Sequence, residues 1–259
     1  MATLALFVCE SSIQLMTESK RVLVILPVIN ELPGLKILLP ELNSLKIKPD
    51  ILIVDDGSTD GTKEFLTESG KLLSNVYYQR RESRKGIGRA HLDGLNFAFL
   101  NKYDFAITMD ADLTHNPKDV ERVFDSLKSH DITFTSRYKL SQRLKRWSLL
   151  RRMLAYGGHL VTYLFFKTKV DMSSGLRGYS LSSTVKKVML QDFPINYDFF
   201  FASAHKIINS GLSYDSIAIE VGRREYGKSK MTFILGARGV ISLLRLIIIT
   251  KLNFFHGRR

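Results

Sequence analysis

The chain has little cysteine and an excess of basic over acidic residues. Cys9 is the one cysteine among 259 residues, so neither an intrachain disulfide framework nor a cysteine zinc site can form, and we expect a reducing compartment. The 25 acidic residues stand against 38 lysines and arginines, which gives a net charge of +13. This charge favours an anionic partner, and nucleic acid, nucleotide phosphates and anionic lipid headgroups all qualify.

Long uninterrupted apolar runs are also scarce. The apolar start MATLALFVC lacks the basic n-region of a signal peptide and is followed by Glu10, so we expect residues 1–20 to be a frayed or docked extension rather than a signal peptide. Near the other end, Arg238, Arg245 and Lys251 interrupt the apolar residues of 236–259, whereas a membrane span needs about 20 predominantly apolar residues. Their spacing predicts an amphipathic helix at a membrane interface; a packed C-terminal helix or a partner-subunit contact stays open.

The pattern between these ends predicts strands that alternate with helices. Short runs rich in β-branched and aromatic residues predict strands at 21–30, 51–54, 75–80, 104–110 and 131–138. Glycine- or proline-containing turns and helical spacing predict helices at about 32–46, from 62, within 84–101 and at 117–129. This alternation predicts an α/β fold with a mostly parallel, doubly wound sheet and ligands at the carboxyl ends of its strands.

Acidic turns follow two of the predicted strands. Asp55 and Asp56 follow the second strand, and Asp110 and Asp112 follow the fourth, so all four carboxylates should lie on one sheet edge. An Asp-x-Asp turn can offer oxygens to Mg²⁺, which takes one or two protein carboxylates and leaves its other positions to water and substrate phosphates. Turn preferences alone also produce acidic turns, so the pair by itself decides little.

Seven motifs in fixed order make these turns more specific: VILPVINE, VDDGSTDGT, RKGIGRA, MDADLTHNP, TSRY, SSGLRGYS and RREYGKSKM. Over residues 20–235 they resemble the family 2 inverting glycosyltransferases of GT-A fold, and among these the dolichol-phosphate mannose synthases. The resemblance implies a GT-A domain over 21–235, with a mostly parallel sheet flanked by helices. An extension (1–20) precedes this domain, and an amphipathic membrane-interface helix (236–259) follows it.

The resemblance also implies an activity. Members of this group transfer mannose from GDP-mannose to dolichyl (polyprenyl) phosphate with inversion, and they use Mg²⁺ or Mn²⁺. The resemblance further implies a peripheral membrane protein on the cytoplasmic face, and a membrane partner subunit stays open. Another nucleotide sugar of the UDP-glucose type, or a glycan hydroxyl acceptor, stays open. Nucleic-acid binding is least favoured and no such partner is expected, because among the cations of 143–152 only Trp147 offers stacking.

The resemblance assigns donor-site roles to several motif residues. Asp110 and Asp112 would hold the metal, and Asp112 and Arg137 would be catalytic. Thr114 offers a single hydroxyl where Gln or Ser is usual, so its direct ligation of a metal is not expected. Contacts with the nucleotide sugar would come from Pro27, Ile29, Glu31, Ile53, Asp55, Asp110, Ala111, Asp112, Thr114, Arg137, Arg224 and Lys230.

The acceptor site rests on arginines. The resemblance places Arg137 and Arg151 at the acceptor phosphate, and a guanidinium can bind phosphate oxygens bidentately. Phe200 and Ala202 stand where relatives carry Gln and Glu, which removes a candidate general base. A phosphate acceptor is already anionic and needs positioning more than a base, so this loss favours a lipid phosphate over a hydroxyl. Five cations open the segment 143–169, whose later aromatic and aliphatic residues suit a membrane interface.

Overall fold

A computed structural model describes residues 20–69, 74–82, 85–138 and 149–222, together with helical positions 241, 243–245 and 247–248. Predictions for other residues lie outside this described part. These include the N-terminal extension up to residue 19 and the roles of Trp147, Arg224, Lys230, Arg238 and Lys251.

The described chain alternates strands and helices through its first half, as the sequence pattern predicts. The strands are β1 (Val22–Val28), β2 (Asp50–Asp55), β3 (Val76–Arg80), β4 (Phe105–Thr108), β5 (Ile132–Ser136), β6 (Arg177–Ser180) and β7 (Tyr214–Ala218). The helices are α1 (Leu32–Asn43), α2 (Thr62–Ser69), α3 (Ile87–Leu100), α4 (Asp119–Leu127), α5 (Leu149–Phe166), α6 (Ser183–Met189) and α7 (Asp198–Ile208).

One seven-stranded sheet has the order β3-β2-β1-β4-β6-β5-β7. Strands β1 to β4 pair in parallel, and β5 pairs in parallel with β7. Strand β6 is antiparallel to its neighbours β4 and β5. The predicted mostly parallel α/β sheet is therefore confirmed, with one antiparallel insertion that the alternation pattern did not predict.

The central strand β1 is buried on both faces, which explains its continuous apolar sequence. Val24 and Leu26 belong to one hydrophobic core, and Leu23 and Ile25 belong to the other, as the two-residue period of a strand requires. Helix α1 contributes to the first core and α3 to the second. Because helices cover both faces of the sheet, a ligand can reach it only at the strand ends, where the polar turns lie.

Helix α3 carries a fully buried histidine. The His91 ring lies 5.5 Å from Phe199 and 5.1 Å from Phe200, between ring centroids. Neither ring nitrogen has a hydrogen-bond partner among the described residues. Burial, assisted by the positive charge of Arg177, lowers the pKa of His91 to about 3. The histidine is therefore neutral in the folded protein across the physiological range.

This buried histidine predicts acid sensitivity. The unfolded chain binds a proton on His91 near the ordinary pKa of 6.5, whereas the folded chain binds it only near pH 3. Stability should therefore fall as the pH drops through this window, by up to about 1.4 kcal/mol per pH unit from this residue. His91→Phe should give a shallower pH slope in urea unfolding followed between neutral and acidic pH. Identical slopes for the variant and the wild type would contradict this assignment.

Candidate active site

The parallel pairing of β1 with β2 and β4 brings three turns to one edge of the sheet. Val28 lies beside Asp55, and Ile25 lies beside Thr108, so the chain leaves all three strands on the same side. The prediction that the acidic turns share an edge is therefore confirmed.

The turn after β2 is organised around an internal carboxylate. Asp55 is fully buried and accepts hydrogen bonds from the Ser58 amide (2.8 Å), the Ser58 hydroxyl (2.6 Å) and the Tyr78 hydroxyl (2.6 Å). Ile53 is also fully buried, in the hydrophobic core. In this conformation neither side chain offers surface to a base or sugar, so the nucleotide contacts expected of Ile53 and Asp55 stay a prediction.

Asp56 links the turn after β2 to the glycine-rich turn before α3. Its carboxylate accepts hydrogen bonds from the backbone amides of Lys85 (2.8 Å) and Gly86 (3.0 Å), and it pairs with the buried Arg81 at 2.8 Å. Gly86 has a φ of 89°, which favours glycine. Asp56 therefore fixes the loop that enters α3.

The turn after β1 is joined to the turn after β2. The Asn30 amide donates to the Ser58 hydroxyl at 2.9 Å, and the Thr59 amide donates to Asn30 Oδ1 at 2.7 Å. The predicted nucleotide contacts Pro27, Ile29 and Glu31 surround Asn30 in the chain; Pro27 and Ile29 are partly exposed, and Glu31 is 6% exposed. They lie on the edge that carries the acidic turns.

The turn after β4 presents two partly exposed carboxylates, Asp110 and Asp112, on either side of the buried Ala111. Asp112 Oδ1 accepts hydrogen bonds from the Thr114 amide (3.1 Å) and the Thr114 hydroxyl (2.6 Å). Thr114 therefore orients the Asp112 carboxylate, and the expectation that its hydroxyl is not a direct metal ligand stays a prediction. Leu113 has a φ of 61°, a left-handed conformation that is uncommon for leucine and often marks a functional site.

Two neighbouring segments hold this turn in place. Gly34 of α1 lies so close to it that a Cβ there would be 2.4 Å from the Ala111 carbonyl oxygen. On another side, the Gly222 amide donates to the Thr114 carbonyl at 2.8 Å. The carboxylates thus stand on a supported turn rather than on a loose loop.

Arg137, just after β5, is held by a buried carboxylate. Its Nε donates to Asp171 at 2.7 Å, and its Nη2 donates to Asp171 at 3.3 Å and to the Ser173 hydroxyl at 2.7 Å. The Arg137 side chain is 18% exposed, and that of Asp171 is 1% exposed. This fork fixes one edge of the guanidinium, as bidentate pairing does.

Arg137 and Asp171 stabilise each other's ionised forms. Burial opposes its charged form, but the negative charge of Asp171, with a smaller contribution from Asp110, raises the pKa of Arg137 above its ordinary value. Burial would raise the pKa of Asp171, but the Arg137 charge and the hydrogen bonds from Arg137 and Ser173 lower it. Asp171, which holds Arg137, begins the segment whose Gly175 lies against Asp110: a Cβ added to Gly175 would be 2.9 Å from Asp110 Oδ2. Asp110 and Arg137 therefore border the same segment of chain. Sequence reasoning missed Asp171 and Ser173, although both lie within or next to the SSGLRGYS motif.

Helix α5 docks beside Arg137 through Tyr138. The Tyr138 hydroxyl donates to the Ala155 carbonyl at 3.2 Å, and its ring stacks on His159 with centroids 4.1 Å apart. Arg151, a predicted acceptor contact, lies on this helix, but its side chain is outside the described residues. On α7, Phe200 is 5% exposed and its ring packs against the Arg177 guanidinium, so this position carries a core residue in place of a polar group.

The acidic turn suits a divalent cation that is completed by its substrate. Within the described ranges, no group of three or more His, Cys, Asp or Glu side chains is arranged as a metal site. Asp110 and Asp112 supply hard carboxylate oxygens, and two carboxylates are the usual protein share for Mg²⁺ when substrate phosphates provide further ligands. The donor set therefore fits Mg²⁺ or Mn²⁺ bound together with a diphosphate.

Comparison with known proteins identifies the family. The model of glycosyl transferase family 2 matches residues 23–186, from β1 into α6. This match spans more than half of the chain and includes both acidic turns and Arg137. The chain belongs to glycosyl transferase family 2.

Two relatives resemble the chain over most of its length. An undecaprenyl-phosphate mannosyltransferase of Micrococcus luteus is 26% identical over 227 residues, which cover 87% of this chain and 93% of the relative. A polyprenol monophosphomannose synthase of Mycolicibacterium smegmatis is 30% identical over 219 residues, which cover 83% of this chain and 82% of the relative.

Solved structures share the fold. The glucosyl-3-phosphoglycerate synthase from Mycobacterium tuberculosis, in complex with Mn²⁺, UDP and glucosyl-3-phosphoglycerate, superposes with a TM-score of 0.61 at 16% identity. The match covers 87% of this chain and 79% of that one. At this identity the likeness establishes the GT-A fold and nothing about the ligands of this chain.

Proposed function

We propose that the protein transfers mannose from GDP-mannose to a polyprenyl phosphate of the dolichyl type, with inversion at the sugar carbon and release of GDP. The observation that carries this proposal is that the turn of Asp110 and Asp112 and the fixed Arg137 border the same segment, residues 171–175, at the open edge of the sheet. One group suits a cation and the other suits a phosphate. Family membership and the names of the two relatives support the same reaction class.

The carboxylates and the arginine divide the chemistry between them. Asp110 and Asp112 would hold Mg²⁺ or Mn²⁺, which when bound supplies positive charge to the diphosphate leaving group. Asp171 and Ser173 hold one edge of the Arg137 guanidinium, so the arginine meets a phosphate without first losing side-chain freedom.

The acceptor phosphate needs no general base. Arg137 and Arg151 would position an oxygen of this anion against the sugar carbon, on the face opposite the diphosphate. The new carbon–oxygen bond forms as the bond to the diphosphate breaks, and the electron pair leaves with the nucleoside diphosphate. Attack from the opposite face inverts the configuration. The hydrophobic Phe200 and Ala202 are compatible with this route because no proton has to be removed.

The remaining donor contacts belong to the same proposal. Pro27, Ile29 and Glu31 would contact the nucleotide from the β1 end, with Ala111 and Thr114 supporting the metal carboxylates. Arg224 and Lys230 would close over the diphosphate, where a cation stabilises developing negative charge.

A donor panel tests the proposed reaction. The protein would be incubated with Mg²⁺ or Mn²⁺, polyprenyl phosphate and, separately, GDP-mannose, UDP-glucose and other nucleotide sugars, and release of the nucleoside diphosphate would be measured. We expect acceptor-dependent release with GDP-mannose above the other donors. Release that depends on a water-soluble glycan instead of the lipid phosphate would overturn the proposed acceptor, and preferential use of UDP-glucose would overturn the proposed donor.

We also propose that α5 lies at the membrane surface. Met153 (64% exposed), Leu160 (55%) and Leu164 (60%) are seven and four residues apart and form one apolar row on this helix. Among the described helices, none is long and apolar enough to cross a bilayer. An apolar row on a strongly basic protein suits a peripheral position on anionic lipid, and we place it at the cytoplasmic face with residues 236–259 as a second contact.

Leu160→Asp should weaken this association. A charge in the apolar row opposes insertion between headgroups, so the variant should float less with anionic vesicles than the wild type. Leu100→Asp is the matched control: Leu100 is 69% exposed at the end of α3, which returns to the sheet edge opposite the acidic turns. Equal flotation of Leu160→Asp and the wild type would remove α5 from the proposed contact, and an unchanged signal after deletion of 236–259 would remove that segment.

A further inference from the structure

The loop of residues 171–176, which precedes β6, contacts both halves of the candidate site. At its start, Asp171 holds Arg137. Near its end, Gly175 lies directly against the acidic turn: a Cβ added to Gly175 would be 2.9 Å from Asp110 Oδ2 and 3.0 Å from Oδ1. The backbone of Gly175 therefore packs against the Asp110 carboxylate and leaves no room for a side chain between them.

Two buried side chains fix this loop from the core. The Thr108 hydroxyl, at the end of β4, donates to the Gly175 carbonyl at 2.8 Å. Arg177 Nη2 donates to the Met172 carbonyl at 2.7 Å and to the Phe200 carbonyl at 3.0 Å. Thr108 and Arg177 are both fully buried. The backbone around Gly175 is therefore hydrogen-bonded to the sheet and, through Arg177, to α7. Movement of this backbone away from Asp110 would break buried hydrogen bonds.

We propose that Gly175 is a positioning residue for the metal: its side-chain-free backbone sets the orientation of the Asp110 carboxylate toward the divalent cation. The 171–176 loop thereby connects the metal carboxylate and Arg137 in one supported unit. This inference rests on the proposed function, because that function assigns Asp110 to the metal.

The short Cβ distances at Gly175 predict that an alanine there changes metal binding without changing the fold. A Cβ within 3.0 Å of another heavy atom forces something to shift, and the nearest atoms are the end of the Asp110 side chain rather than backbone. In Gly175→Ala the carboxylate should rotate while the core stays intact. Groups that orient a metal ligand typically contribute about 10-fold to 100-fold to metal affinity, and this sets the expected size of the effect.

Two other glycines provide matched controls. Gly178 lies in β6, where a Cβ would be 2.5 Å from Val123 Cγ1 and 2.8 Å from Leu127 Cδ1, both in the core. Gly178→Ala should therefore lower the thermal stability without touching Asp110. At Gly158 in α5, a Cβ would meet nothing within 4 Å. Gly158→Ala should therefore leave the Mn²⁺ affinity unchanged and should not lower the Tm, since alanine has the higher helix propensity.

The experiment is a titration of Mn²⁺ into the protein saturated with GDP, and separately with UDP, followed by calorimetry, with thermal unfolding measured without metal. We expect Gly175→Ala to bind Mn²⁺ about 10-fold to 100-fold more weakly than the wild type, with a near-wild-type Tm. We expect Gly178→Ala to bind Mn²⁺ as the wild type does, with a lowered Tm. Wild-type Mn²⁺ affinity in Gly175→Ala would overturn the inference while leaving the proposed function standing. Failure of the wild type to bind Mn²⁺ with either nucleotide would overturn both.

A second pair of variants covers the case in which Gly175→Ala does not fold. Thr108→Val removes the hydroxyl that holds the Gly175 carbonyl, and Thr108→Ser keeps it. Weaker Mn²⁺ binding in Thr108→Val with recovery in Thr108→Ser supports the inference. Equal Mn²⁺ affinity in both variants and the wild type would overturn it.

Discussion

Asp112→Asn is expected to reduce the rate of sugar transfer about 100-fold to 1000-fold, because electrostatic stabilisation at a reacting centre is commonly of that size. The asparagine keeps the shape of the side chain and can still accept the hydrogen bonds from the Thr114 amide and hydroxyl. The turn should therefore keep its conformation, while the site loses one of the two carboxylate charges that suit the cation. The rate would be measured at saturating donor over a range of Mg²⁺ concentrations.

Asp125→Asn is the control for this substitution. Asp125 lies on α4 with a side chain that is 67% exposed, paired with the exposed Lys128. Removal of a surface charge of this kind should leave transfer unchanged. Near-wild-type turnover in Asp112→Asn would remove Asp112 from the metal site.

Asp171→Ala should have the largest effect on stability. The substitution leaves Arg137 without the buried carboxylate that pairs with its charge, and breaking a buried ion pair on one side typically costs about 3–5 kcal/mol. Transfer should also fall in the variant protein that remains folded, because the guanidinium loses the partner that orients it. Urea unfolding and kcat measured on the same preparations would separate the two effects.

The lowered pKa of Asp171 also predicts how the stability of the protein depends on pH. The folded-state pKa of Asp171 lies below its ordinary value of 3.8. Its contribution to stability is therefore fully present above about pH 3.8 and is lost as the pH falls through the lower folded-state pKa. Asp171→Asn should lack this acid-dependent loss.

The outcome that would contradict the Asp171→Ala prediction is a small change in stability. An unfolding free energy of Asp171→Ala within about 1 kcal/mol of the wild type, as expected for an exposed pair, would show that the Arg137 pairing contributes little.

The sequence predicted β1, β2, β4 and β5 because they are buried, and it predicted the partly exposed β3 from its valine and tyrosines, which favour strands. Strands such as β1 and β2 feed cores on two faces, and this burial requires the apolar runs that the pattern detects. Strand β6 was not predicted because it has only four residues and one of them is Gly178, a residue type that is depleted in strands. Tertiary contacts supply what its composition lacks: the Arg177 guanidinium bonds to carbonyl oxygens, and Gly178 leaves room for α4.

The candidate site was predicted in part for a similar reason. Parallel strand order alone places Asp110 and Asp112 on the edge that carries Asp55 and Asp56. The sequence could not distinguish the internal role of Asp55 from a ligand contact, because both roles use the same residue after the same strand. The pairing of Arg137 with Asp171 joins residues 34 positions apart, and no local pattern encodes such a contact.

Transfer of labelled mannose from GDP-mannose into an organic-extractable product tests the central claim most directly. With polyprenyl phosphate and Mg²⁺ or Mn²⁺, we expect label in the organic phase, its loss on chelation with EDTA, and its return when the metal is restored. Label that stays in the aqueous phase under all of these conditions, or transfer that is indifferent to EDTA, would contradict the assignment of the acidic turn and Arg137 to a metal-bound sugar nucleotide and a lipid phosphate.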